Sequence, residues 1–114
     1  MPMQPAPAEL IERFGRILER FPATERRKMF GYPAAFVGGN LATGLFADGW
    51  MARLPADVLV AALESGAARP FEPMPGRAMT GYALLAPEIV ADDAALLGWV
   101  ERSVTFTASL PPKK

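Results

Sequence analysis

Cysteine and histidine are both absent from this 114-residue chain. Without cysteine there is no disulfide framework and no thiolate nucleophile. Without histidine as well, Cys/His zinc sites and imidazole general bases are excluded. Charge of one sign is missing too, because 12 Lys+Arg stand against 12 Asp+Glu. That balance speaks against a phosphate-binding surface built on bulk charge. Serine is scarce: Ser65, Ser103 and Ser109 are the full set, and none sits in a Gly-x-Ser-x-Gly elbow. Neither Gly38-Gly39 nor Gly76 precedes a phosphate-cradling Gly-Lys-Ser/Thr helix start. The expectation is therefore a chain with no catalytic residues, no metal and no cofactor.

Hydrophobic residues make up 51% of the chain, enough for one domain with a core of its own. Of 12 prolines, Pro2, Pro5, Pro7, Pro111 and Pro112 lie near the ends. The expected organisation is a flexible N-terminal tail at 1–8, a domain at 9–110 and a C-terminal tail at 111–114. No basic region followed by an apolar core opens the chain, so a secretory signal is not expected. Residues 29–47 carry no charge, yet glycines and Pro33 interrupt them. Two buried strands fit that stretch better than a membrane span.

Leu10, Ile11, Phe14, Ile17, Leu18 and Phe21 fall on a helical stripe about 120° wide. Glu9 and Glu12 precede Arg13 and Arg16 by four residues, the favourable order for helix ion pairs. Residues 28–37 read as a first strand with an irregularity at Gly31-Tyr32-Pro33. Gly38-Gly39-Asn40 turns it, 41–46 returns, and Asp48-Gly49 signals a hairpin into 50–54. On that third strand Arg53 marks the less buried face. Pro55 opens a second helix whose expected stripe is Val58, Leu59, Ala62 and Leu63. The Ala68 to Arg77 segment reads as an extended, stiff connector. A strand at 78–85 follows, then a last helix capped by Asp92 or Asp93.

The last helix spreads its apolar residues over about 180°, more than one stripe needs. It should touch two surfaces, the second being the first helix or a partner chain. The 41–46 strand is apolar on both alternating sets, Leu41, Thr43, Leu45 and Ala42, Gly44, Phe46. Both observations fit a homodimer with contacts at Phe46, Trp99 and Phe106. The fold expectation is α+β in two layers, an antiparallel sheet packed on helices in the order α-β-β-β-α-β-α.

Arg26-Arg27-Lys28 is the one basic run, read as a solvated turn between helix and sheet or as a contact for an acidic partner. Together with Arg53, Arg69 and Arg77 it forms the candidate contact set for a partner or ligand. Direct nucleic-acid binding is disfavoured, and so is any membrane association.

The order of several short runs carries a resemblance. Arg27-Lys28-Met29-Phe30-Gly31 opens a strand, and Phe36-Val37-Gly38-Gly39-Asn40 and Leu45-Phe46-Ala47-Asp48-Gly49 follow. After Arg53-Leu54-Pro55 and Gly66 come the run from Pro70 to Met79, then Tyr82 and Trp99. Over residues 26–109 the chain resembles the N-terminal domain of the TfoX/Sxy family of competence regulators. The Lys-Met-Phe-Gly start and the Pro-Phe-Glu-Pro-Met-Pro-Gly-Arg loop are its most specific pieces. Tyr32-Pro33 departs from the pattern, where a second glycine is expected in many relatives. With the sequence ending at Lys114, the C-terminal helical domain of the full regulators is not expected here. A weaker resemblance runs to the MmcQ/YjbR-like proteins. The TfoX resemblance implies a secretion-chaperone-like α/β fold in a cytoplasmic bacterial protein. It also implies a link to transcriptional control of DNA uptake, exerted on a protein partner that the sequence does not name. The alternative is a small-ligand-binding domain using the Pro70 to Arg77 loop and the sheet face near Arg53.

Overall fold

The computed structural model describes residues 5–113, so residues 1–4 of the expected N-terminal tail and Lys114 lie outside it. The described residues form one six-stranded antiparallel sheet, ordered β1-β2-β3-β4-β6-β5. Helices pack against one of its faces. The α+β expectation holds, with two more strands and one more helix than the sequence pattern gives.

The helix α1 (Ala8–Leu18) buries Leu10, Phe14, Ile17 and Leu18 of the anticipated stripe, while Ile11 is 43% exposed and Phe21 is half-buried beyond the helix end. The first expected strand is in fact a hairpin, β1 (Glu25–Met29) and β2 (Tyr32–Val37). Its turn is Phe30-Gly31, both left-handed at φ 57° and 82°, as a type I′ turn requires. Gly31 takes that conformation freely, whereas Phe30 does so against its side-chain sterics. Edge-to-face contact of the Phe30 ring with Phe46, 5.7 Å away, compensates.

β3 (Asn40–Phe46) and β4 (Gly49–Arg53) continue the meander. Their connection is Ala47-Asp48, one residue before the anticipated Asp48-Gly49 turn. Between β2 and β3 the register jumps from Ala35↔Thr43 to Phe36↔Leu41, which makes Ala42 the extra residue of a bulge. The bulge breaks the simple alternation along β3. Thr43 lies beside Trp50, whose indole N–H donates to the Thr43 hydroxyl at 2.8 Å, while Leu41 joins Met51 on the opposite face.

The rest of the chain closes the sheet. α2 (Ala56–Ser65) is followed by β5 (Ala68–Pro70) and, after a loop, β6 (Tyr82–Leu85), which inserts between β4 and β5. α3 (Pro87–Val90) and α4 (Asp93–Ala108) end the fold. Asp92 caps α4 by accepting from the Ala94 and Ala95 amides at 3.0 and 3.3 Å. Asp93 instead pairs with Arg13 of α1 at 2.6 Å, so Arg13 is not the partner of Glu9 that helix spacing gives it. The other anticipated pair, Glu12–Arg16, forms at 3.9 Å.

The main core joins Phe14 and Leu18 of α1, Leu96 and Val100 of α4, and Trp50 of β4. Each such side chain contributes about 1.5–3 kcal/mol by leaving water. A second, smaller core lies on the opposite face, where Phe71 packs with Ala34, Leu41 and Met51. Phe71 is only 1% exposed. The face that Arg53 was expected to share with solvent is therefore covered by the chain itself. The uncharged 29–47 stretch supplies β2 and β3, as anticipated, and no described helix is long and apolar enough to cross a membrane. Residues 111–113 are held rather than loose, since the Lys113 amide donates to the Gly38 carbonyl at 2.7 Å. Asn40 donates to the Pro111 carbonyl at 3.0 Å.

Candidate functional site

The basic run lies in β1, at an edge of the sheet, and not in a turn between helix and sheet. Strand alternation then separates its side chains. Arg26 turns to the helices, donating to the Gly15 carbonyl at 2.9 Å with its guanidinium 6.0 Å from the Phe14 ring. Arg27 turns the other way, over the Phe36 ring at 5.2 Å, and pairs with Glu25 at 2.9 Å. Lys28 is exposed and has no ion pair among the described residues.

Register carries Arg27, Arg53 and Arg69 to the same side of the sheet, because they face Ala34, Tyr82 and Leu84. The Arg53 guanidinium stacks 5.2 Å above the Tyr82 ring. Tyr82 reaches across β4 to donate its hydroxyl to the Leu41 carbonyl at 2.9 Å. Burial raises the Tyr82 pKa above 10.0, and the Arg53 charge offsets part of that rise. Arg77 stands apart at the tip of the proline loop, where its amide donates to the Met74 carbonyl at 2.9 Å. This loop is no extended connector. Pro70 closes β5, the Met79 amide donates to the Phe71 carbonyl at 2.8 Å, and the segment folds back over the sheet. Met74, 59% exposed, is its most open apolar residue.

Among the expected dimer contacts, Phe46 is occupied internally. Its ring lies 5.3 Å from Tyr32 and from Phe71. The apolar character of both β3 faces is thus accounted for within one chain. Trp99 and Phe106 are half-buried and line shallow grooves beside α2 and Pro55. The Arg102 guanidinium covers the Trp99 ring at 4.9 Å. α2 is more open than its pattern implies, since only Ala62 is fully buried. Val60 and Leu63 are 54% and 36% exposed. The continuous Val58-Leu59-Val60 run, broader than one stripe, was the available signal for this open flank.

A cleft of about 560 Å³ opens where the β3–β4 turn meets β5, β6 and α3. Arg69, Asp48 and Glu88 line it together with Leu84 and Val90. Sequence patterning gave no sign of it. Mixed charge around apolar walls suits a small amphiphilic molecule. No cluster of acidic side chains suited to a metal occurs among the described residues.

Comparison with known proteins returns one family, the TfoX N-terminal domain, whose model matches residues 16–107. No curated protein and no solved structure matches.

Proposed function

Because this chain belongs to the TfoX N-terminal domain family, which is not a known enzyme family, we propose that it is a non-enzymatic interaction domain that acts through protein contacts. In this reading it serves in the cytoplasm as an accessory to transcriptional control. The observation that carries the proposal is the exposed outer flank of α2. A chain that covers both faces of its own sheet still leaves Val60 and Leu63 open there, on the side of α2 turned away from the Val58 and Ala62 that lie beside Trp99. Apolar side chains grouped in this way mark contact surfaces more often than solvated ones. The first partner we propose for them is a second copy of this chain.

Sedimentation equilibrium at micromolar concentration tests the dimer. Twice 12.3 kDa is expected for the native chain, and the single-chain mass for Leu63→Glu. A mass of 12.3 kDa at every concentration removes the dimer. Capture from native cytoplasm, with native and Leu63→Glu baits in parallel, tests the wider reading. A transcription factor recovered by the native bait alone supports it. Identical recoveries by both baits overturn it.

A second reading, a domain that binds a small ligand, draws on the 560 Å³ cleft beside Arg69. A saturable rise in melting temperature with one compound of a metabolite panel, absent in Arg69→Ala, supports that reading.

A further inference from the structure

β1 is an edge strand with an unusual combination of open backbone and charge. In the ladder it shares with β2, Lys28 faces Pro33. Proline has no N–H, so this is a position where the two strands exchange no hydrogen bonds. The backbone N–H and C=O of Lys28 therefore point away from β2, and by alternation so do those of Arg26. No described residue forms a backbone bond to either. At the opposite edge of the sheet, β5 has only three residues and ends on Pro70. The open template is therefore β1.

Three cations and one acid decide what can use it. Pairing with a second copy in the fully overlapping antiparallel register sets Arg27 against Arg27 and Arg26 against Lys28. Like charges directly opposite one another oppose that arrangement. A nucleic acid gains little here, because Arg26 and Arg27 project to opposite faces and each is already engaged. We infer that the outer edge of β1 accepts an extended acidic peptide segment of a partner protein as an added strand. Its backbone bonds Arg26 and Lys28, and its carboxylates, aligned along one face of the added strand, lie beside Lys28. This contact is separate from the outer flank of α2, so either can fail without the other.

The probe is a capped synthetic heptapeptide alternating Glu and Val, added to the full chain labelled with ¹⁵N. Three further probes are its Lys/Val counterpart, a Glu/Val version N-methylated at alternate residues, and a single-stranded oligonucleotide. Saturable binding of the Glu/Val peptide is expected, with the largest amide shifts at Arg26 and Lys28. N-methylation should weaken it at least tenfold, and the Lys/Val peptide should not bind. Lys28→Pro, which removes an outward N–H and no ladder bond, should weaken binding at least tenfold. Lys28→Glu should weaken it with the backbone intact. Equal binding of the methylated and unmethylated peptides overturns the inference. So do shifts confined to other residues, or an oligonucleotide that moves the same amides with equal affinity.

Discussion

The Ser103 hydroxyl donates to the Ala42 carbonyl across 2.8 Å, joining the middle of α4 to the β3 bulge. The extra residue of a bulge loses its ladder partner, and both residues here are fully shielded from water. Ser103→Ala should cost about 1–3 kcal/mol, because it leaves a buried carbonyl unpaired. Chemical denaturation should show a lower midpoint with an unchanged slope. An unchanged midpoint would mean the bulge carbonyl finds another donor.

Arg13 ties α1 to the start of α4 through Asp93 and the Val90 carbonyl. Its side chain is 19% exposed and that of Asp93 66%, so the two ends of the pair should not be equivalent. Arg13→Ala should cost about 2 kcal/mol, since it also frees the Val90 carbonyl. Asp93→Asn should cost under about 1 kcal/mol, as exposed ion pairs do, and its effect should shrink at high salt. Equal losses in thermal denaturation would refute this asymmetry.

Gly39 combines a left-handed backbone at φ 82° with the Lys113 carbonyl 3.0 Å from where a Cβ would stand. Gly39→Ala should therefore carry two penalties, about 1–2 kcal/mol for the backbone and a further one for the clash. In a chain shortened before Pro111 only the first should remain. A double-mutant cycle on melting temperatures separates them. Strict additivity would show that residues 111–113 do not rest on the turn in solution.

Tyr82 should give the protein an alkaline limit. Its pKa is raised in the folded state by burial, with the Arg53 charge lowering it in part. A raised folded pKa means the unfolded chain releases the proton first. The contribution is complete below 10.0 and is lost as pH rises through the folded value. Native stability should fall more steeply above pH 10.0 than that of Tyr82→Phe. At neutral pH the variant should be weaker by about 1 kcal/mol, through loss of the bond to Leu41. Parallel stability curves would remove the claim.

Arg69 and Arg77 are both exposed, although the loop between them is anchored by Phe71. Alanine at both should leave the melting temperature within a few degrees. Phe71→Ala should cost about 3–5 kcal/mol and open the smaller core to an apolar dye. A large loss from the arginine pair would show that they brace the loop.

Legibility followed the range of the interactions. Four residues of the α1 stripe (Leu10, Phe14, Ile17 and Leu18), the Asp92 cap and the Gly38-Gly39 turn depend on residues close in sequence, and they are where the pattern sets them, whereas Ile11 of the same stripe is exposed. The Phe30-Gly31 turn was missed because a left-handed phenylalanine is locally unfavourable, and its compensation comes from Phe46, far along the chain. Phe71 carried no periodic signal, so its burial against Leu41 and Met51 could not be read. With that burial unseen, the apolar β3 looked as if it needed a partner chain. The split of Arg26 from Arg27 follows at once from a strand, but is invisible while the run is taken for a turn.

The sheet order has a kinetic consequence. Strands β1 to β4 join their neighbours through two-residue turns, so their pairing closes only short loops and can proceed in microseconds. β6 cannot dock until the whole excursion from Leu54 to Gly81 has been brought back beside β4. That closure is slow in comparison, and α4 follows it in the chain. Substitutions in the meander should therefore slow refolding. Those in β6, such as at Ala83, should act on unfolding instead.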